Sequence, residues 1–202
     1  MLPAMSVREL EFFFDVGSPY SYLAATRMGG VAERTGAAVR WRPFLLGAVF
    51  KETGNEPPAR LPAKAKWMLA DLHRWAARWG VDFKFPSQFP RNTLKPQRAL
   101  VVVAQREPDQ LPDFALALFR GYWVEDRDVS DPEVISAIAS AAGLDGEAIV
   151  AATAEQSTKD TLKSWTAEAV ARGAFGAPTF FVGDEMHWGN DRLELVEASL
   201  GA

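Results

Sequence analysis

Apolar residues crowd the segment Leu10 to Phe14 and give way at Asp15-Val16-Gly17. So short a run, closed by turn formers, reads as a buried strand over Leu10 to Asp15. Ser18-Pro19 then opens a helical pattern in which Tyr20, Leu23, Ala24, Met28 and Val31 share a face, ending near Thr35-Gly36. From Ala38 to Arg42, Val39 and Trp41 alternate with Ala38, Arg40 and Arg42, which predicts a second strand closed by Pro43. Strand, helix, strand in so short a span is a βαβ unit, which normally makes a parallel pair.

Lys51 to Pro62 carries Gly54, Asn55 and three prolines and reads as a loop. Ala63 to Gly80 follows as a helix with Met68, Leu72, Trp75 and Trp79 in one stripe. A proline-spaced stretch over 85–93 leads to an apolar helix over Pro96 to Arg106. Further helical patterns cover Leu111 to Tyr122, Pro132 to Ala142, Gly146 to Thr153 and Glu155 to Arg172. The pattern then changes period. Thr179 to Val182 and Glu185 to Trp188 are strands around the two-residue turn Gly183-Asp184, a β-hairpin, and Gly189-Asn190-Asp191 starts a last helix.

Composition narrows the chemistry. At 202 residues and 48% apolar content the chain can build one substantial core, with room for an inserted subdomain. A net charge of -4 with no basic block argues against a nucleic-acid partner. The absence of cysteine excludes disulfides, thiolate metal sites and a cysteine nucleophile. His73 and His187 are the only histidines, so a His-rich metal site is not expected and no metal is assigned, while carboxylate-bound Mg or Ca stays open; His73 is expected to be exposed. The N-terminal Met1 to Arg8 lacks the apolar core of a leader, and no stretch approaches the roughly 18 apolar residues of a membrane span. No membrane partner and a cytoplasmic protein are expected.

Ser18 stands where strand gives way to helix. With Pro19 suited to the first helical position, Ser18 is a natural N-cap, its hydroxyl beside unpaired backbone N–H groups and the positive helix end. Two readings stand together: a cap alone, or a corner that also holds an anion.

A βαβ half and a ββα half, with Pro178 before the third strand, follow the order of a thioredoxin-like α/β fold carrying a large all-helical insertion. The expected division is a thioredoxin-like domain over 1–43 and 155–202 and an inserted helical domain over 44–154. The motifs Phe14-Asp15-Val16-Gly17-Ser18-Pro19-Tyr20-Ser21-Tyr22-Leu23, Phe175-Gly176-Ala177-Pro178-Thr179 and Trp188-Gly189-Asn190-Asp191-Arg192-Leu193 go further. With Pro62-Ala63-Lys64 and Phe89-Pro90-Arg91-Asn92-Thr93, they resemble the 2-hydroxychromene-2-carboxylate isomerase family. That family is similar to kappa-class glutathione transferases, in the DsbA-like branch of the thioredoxin superfamily.

The resemblance implies glutathione as cofactor, with Ser18 matching the serine whose hydroxyl faces its sulfur. Thiol oxidoreductases of this fold carry a Cys-X-X-Cys pair at that corner; here it is Ser18-Pro19, able to stabilise a thiolate delivered by a ligand. Pro178, otherwise a strand-initiating proline, matches a cis-proline after a residue, here Ala177, that offers its backbone to the bound peptide. Asn190 and Asp191, otherwise helix caps, are implied to meet the γ-glutamyl end, Asp191 accepting from its ammonium and Asn190 or the helix N-terminus serving its carboxylate. Asn92, otherwise a cap or turn residue, falls in the matching Pro-X-Asn-Thr motif near glutathione and substrate. Lys64, otherwise a solvated helix charge, matches a family lysine that can meet an anionic carboxylate. Trp67 stands on the substrate side where many relatives have tyrosine, so no phenol is available there. Trp67, Trp75, Trp79, Phe83, Phe85 and Phe89 are core residues or walls of an aromatic cleft.

The implied activity is conversion of 2-hydroxychromene-2-carboxylate to trans-o-hydroxybenzylidenepyruvate in aromatic hydrocarbon catabolism. Reversible addition of the glutathione thiolate would turn a double bond into a rotatable single bond. The alternatives are kappa-like glutathione transfer or peroxide reduction, and a noncatalytic scaffold binding a small molecule or peptide. The expected partners are a small aromatic acid and a second copy of the chain in a homodimer.

Overall fold

The computed structural model describes residues 8–201, so the stretch read for a leader lies, apart from Arg8, outside the described residues. Strand β1 (Glu9–Phe14) lies parallel to β2 (Ala38–Pro43), with Phe12 opposite Trp41. On its other side β1 runs antiparallel to β3 (Thr179–Val182), with Phe12 opposite Phe180, and β3 pairs antiparallel with β4 (Glu185–Trp188). The sheet order β2-β1-β3-β4 is that of the thioredoxin-like fold read from the sequence.

The continuous aromatic run of β1 is explained by burial of both its faces. On one face Phe12 packs against Phe14, Trp41 and Phe180 at ring-centroid distances of 5.1 to 5.3 Å. On the other, Phe13 packs edge-on against Phe44 and Phe181. Helix α9 (Gln156–Ala171) covers this second face together with α3 (Leu46–Thr53). Arg42, read as the polar side of an alternating strand, is 4% exposed. It lies between the Phe13 and Trp165 rings and pairs with Glu168, so its charge is buried with a partner.

Three expectations change. The helix that opens at Pro19 is two pieces, α1 (Pro19–Ala25) and α2 (Met28–Thr35). Arg27 N–H bonds the Ala24 carbonyl, a tightened turn, and the Thr26 hydroxyl bonds Leu23 O, so the ladder breaks while Met28 and Val31 stay on the buried stripe. The loop assigned to Lys51 to Pro62 begins later, because α3 continues to Thr53 and Gly54 ends it at φ 69°. The last helix starts as a 3₁₀ turn, Asn190–Arg192, before α10 (Leu193–Ser199).

The helical middle follows the periodic stripes: α4 (Pro62–Trp79), α5 (Leu94–Arg106), α6 (Leu111–Trp123), α7 (Pro132–Ala141) and α8 (Gly146–Ala152). Met68, Leu72 and Ala76 of α4 close on Leu23 of α1, which seats the insertion against the helix carrying Ser18. Helices α7 and α8 meet so tightly that a Cβ on Gly146 would stand 2.2 Å from the Ser136 carbonyl oxygen. Gly146→Ala is therefore expected to destabilise the fold by about 1–3 kcal/mol, measured by urea unfolding, since backbone has to move.

Candidate active site

Ser18 is the N-cap of α1: it is 4% exposed, and its Oγ accepts from Ser21 N–H at 3.1 Å. The same hydroxyl donates to the Ala177 carbonyl at 3.2 Å, across 159 residues of sequence. The Ala177–Pro178 bond is cis, as the resemblance implied, so the Ser18 corner and the proline loop form one place. Because α1 has seven residues before the break, its dipole is that of a short helix, and the hydroxyl carries more of the corner's chemistry than expected. A serine hydroxyl has a single hydrogen. With the oxygen held by Ser21 N–H, the O–H can swing from Ala177 O to another acceptor.

The turn before Ser18 is fastened by buried side chains. Val16 N–H donates to Gln97 Oε1 at 3.2 Å, and the Val16 carbonyl accepts from Trp123 Nε1 at 2.8 Å. The Gln97 amide donates to both Phe14 O and Phe44 O, at 2.9 and 2.8 Å. Asp15, 1% exposed, accepts from Gly17 N–H and Leu46 N–H, each at 2.8 Å. Burial raises the Asp15 carboxyl above its ordinary range, against hydrogen bonds from Gly17, Leu46 and Thr93 that pull it down.

Asn190 and Asp191 do not act as side-chain caps of the segments they open. Asn190 is 3% exposed and its Nδ2 has no hydrogen-bond partner. Such a buried donor is costly unless something satisfies it. Asp191 is exposed and pairs with Arg192 at 3.1 Å. Both line a cavity of about 260 Å³ together with Trp75, Trp79, Arg27 and Arg78. Tyr20, next to Pro19, donates to Asp71 of α4 at 3.0 Å. Burial raises its phenol strongly, and the charge and hydrogen bond of Asp71 and the charge of Asp191 add to the shift.

Asn92 is exposed and its Oδ1 accepts from Leu94 N–H at 2.9 Å, stabilising the turn that starts α5. Lys64 and Trp67 both lie exposed on α4, Trp67 at 61%. No carboxylate among the described residues pairs with Lys64. Phe83, Phe85 and Phe89 gather around the buried Trp123, whereas Trp75 and Trp79 face the cavity. His187 approaches Ser199 Oγ at 3.2 Å and Glu185 at 3.5 Å through the same ring nitrogen, Nε2. A relay would need opposite ring nitrogens, so this trio holds α10 to β4. His73 is exposed, with its ring edge against Phe83.

The sequence reading missed Gln97, Trp123, Thr93 and Asn55. Asn55 Nδ2 donates to the Phe175 carbonyl at 2.9 Å, two residues before Ala177. The one available signal was Gln97, an amide set on the apolar stripe of α5. Among the described residues no three His, Asp or Glu side chains are placed to hold a metal, and no helix is long and apolar enough to cross a membrane.

With the cis-proline loop, the N-capped α1 and the four-stranded sheet in place, the chain belongs to the family of the DSBA-like thioredoxin domain, whose model matches residues 9–201. It is 32% identical over 195 residues to the 2-hydroxychromene-2-carboxylate isomerase of Sphingobium xenophagum, covering 96% of this chain and 98% of that one. Glutathione S-transferase kappa 1 of Homo sapiens is 31% identical over 206 residues, covering 96% and 91%. A solved 2-hydroxychromene-2-carboxylate isomerase superposes with a TM-score of 0.87 at 28% identity, over 96% of this chain and 94% of that one.

Proposed function

We propose that the protein is a glutathione-dependent cis–trans isomerase acting on 2-hydroxychromene-2-carboxylate or a similar unsaturated aromatic oxo-acid. One observation carries the reading: in a chain without cysteine, the Ser18 hydroxyl at the mouth of α1 meets the carbonyl before cis-Pro178 at 3.2 Å. That corner has a donor and a helix end but no nucleophile of its own. The similarity to isomerases over nearly the whole chain supports the same reading.

The residues present fit glutathione, because the unpartnered Asn190 amide and the exposed Asp191 carboxylate offer a donor and an acceptor for an amino acid end group. When bound, glutathione supplies a thiolate able to add reversibly to a conjugated double bond. Ser18 holds its O–H toward the sulfur while Ser21 N–H fixes the oxygen. Ala177 offers its backbone, Asn190 donates to the γ-glutamyl carboxylate and Asp191 accepts from the ammonium. Lys64 neutralises the substrate carboxylate with Trp67 on the substrate side, and Asn92 serves glutathione near the substrate.

Asp191→Asn keeps the shape and removes the charge, so glutathione affinity is expected to fall roughly tenfold, the scale of one charge-assisted hydrogen bond. Calorimetric titration checks this, and unchanged affinity contradicts the assignment. The comparable similarity to the kappa 1 transferase favours conjugation as a second reading. Turnover of the chromene acid with glutathione left undepleted supports isomerisation. Stoichiometric conjugate, or no thermal shift with glutathione, rejects it.

A further inference from the structure

Asp15 is a buried carboxylate that the proposed chemistry does not use. Its two oxygens fasten separate segments: Oδ1 takes the Gly17 N–H of the corner, and Oδ2 takes the Leu46 N–H that opens α3, a helix whose own N-cap residue, Leu45, supplies no side-chain bond. Thr93, at the start of α5 and next to Asn92, lies against the same turn, where a Cβ on Gly17 would stand 3.0 Å from Thr93 Cγ2 and 3.3 Å from Asp15 Oδ1, and its hydroxyl favours the charged carboxyl. These contacts join a ring. Helix α3 runs on to Thr53, Asn55 beyond it holds Phe175 O, and Ser18 holds Ala177 O. The ring closes on Asp15 itself, whose backbone carbonyl takes Ser18 N–H at 2.9 Å.

From this ring we propose that Asp15 is a positioning residue, which sets the Ser18 hydroxyl against the proline loop by clamping the corner to the start of α3. The inference rests on the reading that Ser18 faces the glutathione sulfur. The backbone groups bonded to the carboxyl are both donors, and an ionised carboxylate accepts from them without a proton of its own to place. An asparagine of the same size has one accepting oxygen, so its NH₂ would face either Gly17 N–H or Leu46 N–H and lose that bond. Burial raises the carboxyl, so its charge weakens folding as pH rises from the ordinary carboxylate value through the folded one. Asp15→Asn relieves that cost but orphans one buried N–H, so its melt is read beside its turnover.

The test compares wild type, Asp15→Asn, Ser18→Ala and the double variant by thermal melt, by turnover of the chromene acid, and by the far-ultraviolet thiolate absorbance of bound glutathione at fixed pH. Asp15→Asn is expected to melt lower than wild type by no more than one orphaned buried N–H accounts for, and, among folded molecules, to lose about tenfold or more in kcat and show less thiolate, as a small misplacement does. In the Ser18→Ala background the same change is expected to cost less than about twofold, because its effect runs through Ser18. Thr93→Val, which removes the hydroxyl that favours the charged carboxyl at constant volume, is expected to lose about threefold and supplies the result if Asp15→Asn does not fold. An unimpaired Asp15→Asn beside an impaired Ser18→Ala overturns this inference and leaves the glutathione reading standing, as does an equal loss from Asp15→Asn with or without Ser18. A Ser18→Ala variant that keeps wild-type thiolate and turnover overturns both.

Discussion

Ser18→Ala is expected to lower turnover by about a hundredfold, the scale seen when one preorganised donor to a developing or resident negative charge is removed. The same change takes away the N-cap of α1 and costs about 1 kcal/mol of stability, so part of any loss could come from a frayed corner. Ser18→Gly separates the two. Glycine replaces a capping serine at a cost of only about a few tenths of a kcal/mol, yet it offers no hydroxyl to sulfur or to Ala177 O. Both variants are therefore expected to lose turnover to a similar degree, while melting temperature falls measurably only for Ser18→Ala. A Ser18→Gly variant with near wild-type turnover would assign the serine to capping alone.

Gln97→Leu is expected to destabilise the fold by about 2–4 kcal/mol, measured from the urea midpoint at unchanged slope. The side chain is fully buried and its amide serves three backbone groups drawn from two strand ends and the corner. Leucine fills much of the space but leaves the Val16 N–H and the Phe44 carbonyl without that partner. Phe14 O keeps its bond from Phe44 N–H, so two orphaned groups, not three, set the magnitude. Since Val16 stands two residues before Ser18, turnover is expected to fall further than the folded fraction does. A loss below about 1 kcal/mol would mean that neighbouring groups or water satisfy the corner without Gln97.

The elements legible in the sequence are those whose causes are local. The aromatic run of β1, the Gly183-Asp184 turn between β3 and β4, and the stripes of α4 to α9 each state their period within their own residues. The break between α1 and α2 is not of that kind, because Met28 and Val31 continue the buried stripe across it. Nor was α3 legible, since its C-terminal Gly54 and the prolines after it drew the loop boundary forward. At the site, Ser18, Ala177 and Pro178 are brought together, and the resemblance pointed to all three. Asn190 and Asp191 line one cavity, but no lining residue there is Ser18. What holds Ser18 in place was out of reach. Asp15 and Gln97 act on groups 31 and 81 residues away, and no spacing rule in a single chain records such a contact. Asn55 is the same case, its partner Phe175 lying 120 residues on.

We propose that the corner at Ser18 cradles a thiolate the chain itself does not possess. A crystal structure of the protein soaked with glutathione decides the matter. The glutathione sulfur is expected within hydrogen-bond reach of Ser18 Oγ, with the hydroxyl turned from Ala177 O. A sulfur lying beyond that reach, with Ser18 still bonded to Ala177 O, would contradict it.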